Sequence, residues 1–103
     1  MRFISYFELN PDEDPGVLAE IGQKLISKKL YPAEGIKQIA WYLTAGYWGI
    51  SIFETDSTEA IANNINMWRI SKPGIFKMVK IEPALETREL IPIGMKLAKK
   101  LKD

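Results

Sequence analysis

Stretches of branched and aromatic residues alternate with stretches whose apolar residues recur at helical spacing, and their order leaves few folds open to this chain. Residues 2–8 (Arg2-Phe3-Ile4-Ser5-Tyr6-Phe7-Glu8) read as a strand that stops at Asn10-Pro11. Asp14-Pro15 supplies an N-cap and a first-turn proline, and Leu18, Ile21 and Leu25 follow on one face, so a helix is expected over Pro15–Lys29. Strands are expected over Ile36–Leu43 and Tyr47–Glu54, joined by a hairpin at Thr44-Ala45-Gly46. Asp56 with Glu59 suggests a capping box for a second helix over Ser57–Ile70, which carries Ile61, Ile65 and Trp68 on one stripe. Ser71-Lys72-Pro73-Gly74 ends it, and a last strand is expected over Ile75–Glu82.

The order β-α-β-β-α-β is the split-βαβ arrangement. It predicts an α+β, ferredoxin-like domain over residues 1–83, a four-stranded antiparallel sheet with both helices on one face. The other face would then be open. Phe3, Phe7, Trp41, Tyr47 and Phe53 are expected there, and so large an apolar face is rarely left in water. Two such sheets stacked face to face would bury it, so a homodimer is expected, with an interface of about 1,200 Å² or more. Residues 84–103 form a C-terminal extension. A helix opened by Pro92 would place Ile93, Leu97 and Leu101 on one face, docked on the domain or its partner, with Lys96, Lys99, Lys100 and Lys102 around the rest.

Composition narrows the chemistry. The 103 residues suit one domain, and the chain contains neither histidine nor cysteine. Serine-histidine pairs, thiol nucleophiles, haem-ligating histidine and the usual zinc ligand sets are therefore out of reach. No metal site and no cofactor are expected. The charge balance of 14 basic against 13 acidic residues offers no field for nucleic acid or anionic lipid. The aromatics around Gly46-Tyr47-Trp48-Gly49 do not make an RNA-recognition strand, because no basic-Gly-aromatic run occurs and Ile50 and Ile52 are expected to point inward. No stretch is apolar enough to span a bilayer or form a secretory leader, so a cytoplasmic protein is expected. Glu54, at a strand end below a helix start, is the best-placed acid-base candidate, although a cap or a surface ion pair is the commoner role for a carboxylate there.

Glu54-Thr55-Asp56-Ser57 leading into Glu59-Ala60-Ile61, with Trp68 late in the same helix and Lys80-Ile81-Glu82-Pro83 after the last strand, resembles a group of small uncharacterised bacterial and archaeal proteins. That group belongs to the dimeric α/β-barrel superfamily, and the resemblance covers about residues 2–85. It implies a dimer and a ligand cleft bordered by the second helix. The superfamily includes cofactor-free monooxygenases, haem-degrading enzymes, isomerases, chlorite dismutases and ligand-binding modules, so fold alone does not choose among activities. The haem-handling and dismutase branches rely on a histidine that this chain lacks. The cofactor-free monooxygenases use Trp and Asn, which here could be Trp68, Asn63 and Asn64; a core Trp68 with solvated asparagines is the plainer alternative.

With imidazole and thiol absent, binding would rest on aromatic contact and on amide or phenol hydrogen bonds. The candidate ligand-binding residues are Tyr6, Trp41, Asn64 and Trp68, between the sheet and the second helix. Two functions remain. One is a non-catalytic homodimeric module that binds a small apolar or aromatic ligand or a partner. The other is a cofactor-independent monooxygenase- or isomerase-like enzyme acting on an aromatic or polyketide-like substrate. A ring-sized pocket beside Trp68 favours the enzyme, and a filled interior favours the module.

Overall fold

The computed structural model describes residues 1–102, in the order β1 (Arg2–Leu9), α1 (Pro15–Ser27), β2 (Lys37–Leu43), β3 (Trp48–Glu54), α2 (Thr58–Ser71), β4 (Phe76–Pro83) and α3 (Thr87–Lys102). The four strands form one antiparallel sheet in the order β2-β3-β1-β4. This is the expected ferredoxin-like α+β topology. Each helix begins where its local chemistry dictates. Asp14 Oδ1 accepts from the Gly16 and Val17 amides, satisfying donors that the first turn of α1 leaves free. At α2 the cap is Ser57, whose hydroxyl accepts from the Ala60 amide. Asp56 does not cap this helix as the sequence suggested; it pairs with the Met1 amino group at 3.1 Å.

Strand parity then decides which side chains meet the helices. Ser5 faces Ser51 across β1–β3, Ser51 faces Trp41 across β3–β2, and Ser5 faces Ile81 across β1–β4. The neighbouring row on the same face is Leu43, Gly49, Phe7 and Val79. Phe3 stacks on Phe53 at 5.5 Å in the row beyond Ser5 and Ser51. Phe3, Phe7, Trp41 and Phe53 therefore lie under the helices and not on the open face where they were expected. Tyr47 is in the β2–β3 turn, where its hydroxyl donates to the Glu13 carbonyl at 2.9 Å. The open face is apolar nonetheless: it carries Ile4, Tyr6, Tyr42, Trp48, Ile50 and Ile52. Ile50 and Ile52, expected to point inward, point outward. Both sheet faces carry large apolar side chains, so alternation alone could not assign the parity.

Helix α3 starts five residues before Pro92. Glu86 begins it: its carbonyl accepts from the Glu89 and Leu90 amides, and the Glu89 carboxylate accepts from the Glu86 amide. Pro92 sits within the helix and costs it one backbone bond. No described residue of α3 is buried, and Ile93, Leu97 and Leu101 stay 45%, 60% and 90% exposed. The expected docking of this stripe on its own domain is therefore not seen. Among the described residues, no helix is long and apolar enough to cross a membrane.

Candidate functional site

Between the sheet and the helices α1 and α2 lies a cavity of about 610 Å³. It exists because the sheet beneath it is lined with small side chains. Ser5 and Ser51 occupy the centre of the helix-facing side, where a closed core would carry leucine or phenylalanine. Helix α1 contributes Gly22 opposite Trp68. A Cβ at Gly22 would lie 3.6 Å from Trp68 Cη2, in ordinary van der Waals contact with the indole, so glycine keeps the cavity wall free of a side chain here. Leu25 is the one buried residue of α1, and Ile26, at the cavity wall, is half-exposed. A volume of this size lies within the range of small-molecule sites.

One end of the cavity is aromatic. The rings of Tyr31, Trp41 and Trp68 lie mutually adjacent, with centroids 4.9 Å (Tyr31–Trp41), 5.2 Å (Tyr31–Trp68) and 5.9 Å (Trp41–Trp68) apart. The Tyr31 hydroxyl donates to Gln38 Oε1 at 2.8 Å. Asn64 is buried, and its Oδ1 accepts from the Ala33 amide at 2.8 Å, tying α2 to the loop before β2. Among the described residues, no Asp, Glu, Lys or Arg lines the cavity. Its polar groups are hydroxyls and amides, which suit a neutral guest.

Three of the four candidate residues, Trp41, Asn64 and Trp68, line this cavity together. Tyr6 does not. It projects from the opposite sheet face, stacks on Trp48 at 6.1 Å and donates to Glu8 Oε2 at 2.9 Å. Its neighbours in β1, Ser5 and Phe7, are the ones that reach the cavity, because successive strand residues alternate faces. Asn63, one residue from Asn64, is exposed. Glu54 meets Arg2 at 3.7 Å on the surface, away from the cavity lining. Ser5, Ser51, Gly22 and Tyr31 were missed as site residues. A serine inside an otherwise apolar strand was the available signal for the first two.

Burial pushes the Tyr31 phenol up to about 12, and the Asn64 side chain beside it opposes the shift. The folded value lies above the ordinary one near 10, so the neutral phenol contributes stability at every pH below 10. That contribution is lost as pH rises from 10 through 12, and amounts to on the order of 2–3 kcal/mol. The hydrogen bond to Glu8 raises the Tyr6 phenol as well, so absorbance at 295 nm should show late ionisation that loses one phenol in Tyr31→Phe, whose stability should fall less steeply above pH 10. A Tyr31→Phe protein whose late amplitude matches that of the wild type would refute the assignment.

No protein-family model matches the chain, and no curated protein matches it. Among solved structures it is similar to Rv0793 from Mycobacterium tuberculosis, with 17% identity and a TM-score of 0.51 over 82% of this chain and 94% of that one. It also resembles Atu4242 from Agrobacterium tumefaciens, with 13% identity and a TM-score of 0.46 over the same shares. These neighbours are small bacterial proteins, and the likeness to the first bears on the fold alone.

Proposed function

We propose that this protein is a homodimeric module that holds a small apolar or aromatic molecule between its sheet and helices. The observation that carries the reading is the cavity of about 610 Å³, walled by Tyr31, Trp41 and Trp68 and free of charged side chains. Aromatic walls contribute large contact areas at low entropic cost, and an uncharged lining favours neutral guests. The open sheet face, with Tyr42 at 66% exposure and Trp48 at 45%, supports pairing of two sheets. So does the resemblance to the dimeric α/β-barrel superfamily. The absence of cysteine agrees with work in the cytoplasm.

Cofactor-independent turnover of an aromatic or polyketide-like substrate is a second reading. The open space beside Trp68 and Asn64 favours it, by the criterion that separated enzyme from module in the sequence. Against it stands the wall itself, which offers no carboxylate, amine or imidazole for proton transfer. Any reaction would have to be driven by the substrate.

The test is Trp68→Ala, read in two ways. A tryptophan removed from a closed core costs about 3–5 kcal/mol. At this wall the loss should be about 1–2 kcal/mol, while affinity for 1-naphthol, measured by calorimetry, drops at least tenfold. Native mass spectrometry of the purified protein should show a dimer carrying a bound small molecule. A loss of 3–5 kcal/mol with unaltered naphthol binding would defeat the reading. Consumption of a retained ligand under air would move the protein to the enzyme class.

A further inference from the structure

Ser5 and Ser51 are direct partners across the two central strands, β1 and β3, on the face that the helices cover. They are 2% and 4% exposed, and both line the cavity. The other serines are engaged: Ser27 and Ser71 donate to carbonyls of the preceding helical turn, and Ser57 caps α2. Among the described residues, no hydrogen bond engages the hydroxyl of Ser5 or of Ser51. Every polar side-chain atom fully sealed inside the protein does have a partner, so these two oxygens open onto the cavity. Two adjacent hydroxyls at the centre of a sheet thus present unused donors and acceptors to whatever occupies the cavity.

Their surroundings define what that something is. Trp41 lies beside Ser51 in the same row, and Phe7 and Gly49 form the next row. A hydroxyl both donates and accepts, so a pair of them can clasp one carbonyl or phenol oxygen from two sides. With no cationic residue in the lining, a carboxylate or phosphate would enter without a counter-charge. We propose that Ser5 and Ser51 form a two-hydroxyl seat for a neutral oxygen on a ring system, a phenol or a ring ketone, with the ring lying toward Trp41. This rests on the reading that the cavity binds a small molecule, and it adds the ligand's polar group and the place where that group docks.

Calorimetry on the full chain with three probes of one shape tests it: 1-naphthol, 1-methylnaphthalene and 1-naphthoate. Wild-type protein should bind the naphthol about tenfold more tightly than the methyl analogue, the effect of one to two net hydrogen bonds. The naphthoate should bind at least tenfold more weakly than the naphthol. In the double variant Ser5→Ala, Ser51→Ala the naphthol should lose about tenfold, while the methylnaphthalene holds or gains. The melting temperature of that variant should not fall, since the deleted hydroxyls had no partners, and this separates lost binding from lost folding. Equal binding of naphthol and methylnaphthalene in the wild type, or a naphthol preference that survives both substitutions, overturns the seat while the cavity reading stands. Binding of none of the three probes overturns the cavity reading and the seat with it.

Discussion

In the proposed face-to-face pairing, Ile52→Asp should turn a dimer at micromolar concentration into a folded monomer. Ile52 lies in β3, one of the two central strands, on the face turned away from the helices, with Ile4 and Ala40 as its cross-strand neighbours. A second sheet stacked on this face would seal an aspartate among isoleucines. An unpaired buried charge costs roughly 3–5 kcal/mol, and a two-fold interface meets each substitution twice. The dissociation constant should therefore rise by on the order of a thousandfold or more. Folding itself should survive, because the side chain touches neither the cavity nor the buried Phe3–Phe53 stack. Sedimentation at 10 μM distinguishes the outcomes, and far-ultraviolet circular dichroism checks the fold. A wild-type monomer at 100 μM, or an unchanged dimer in the variant, would sink the face-to-face arrangement. The exposed stripe of Ile93, Leu97 and Leu101 on α3 fits the same proposal, since a second subunit would offer the burial that its own domain does not.

The order of the elements, and the bounds of all but α3, were legible because each depends on local signals. Asp14-Pro15 opens α1, the Pro73-Gly74 turn closes off α2, and strand residues are branched or aromatic. Facing was not legible. In β1 the two parities read Phe3-Ser5-Phe7-Leu9 and Ile4-Tyr6-Glu8, and both contain large apolar groups. Only tertiary pairing shows that the set with the serine lies under the helices. For the same reason Tyr6 was placed at the site and Ser5 was not. Trp41, Asn64 and Trp68 were found through residue chemistry, whereas the cavity depends on what is missing: a side chain at Gly22, and bulk at Ser5 and Ser51. A pattern of absences carries little periodic signal.

Gly49→Ala should be among the most damaging single changes in the chain. Gly49 is buried in β3 between Phe7 of β1 and Leu43 of β2. A Cβ built there would collide with the Tyr42 carbonyl oxygen and with the ring of Phe7. The ring could rotate, but the carbonyl is part of the β2–β3 backbone, so relief requires the two strands to part. Ordinary overpacking costs about 1–3 kcal/mol, and adding lost strand pairing puts the expected loss at about 3 kcal/mol or more. For a domain of this size, that is a large share of a total of about 5–15 kcal/mol. Urea unfolding followed by tryptophan fluorescence would measure it. Phe7→Leu combined with Gly49→Ala separates the two clashes: if the ring is the main obstacle, the double variant regains most of the loss. If the carbonyl dominates, as the geometry indicates, it regains little. A Gly49→Ala protein within 1 kcal/mol of the wild type would show that the strands at this turn are not held as closely as described, and that the cavity floor beside Ser51 can shift.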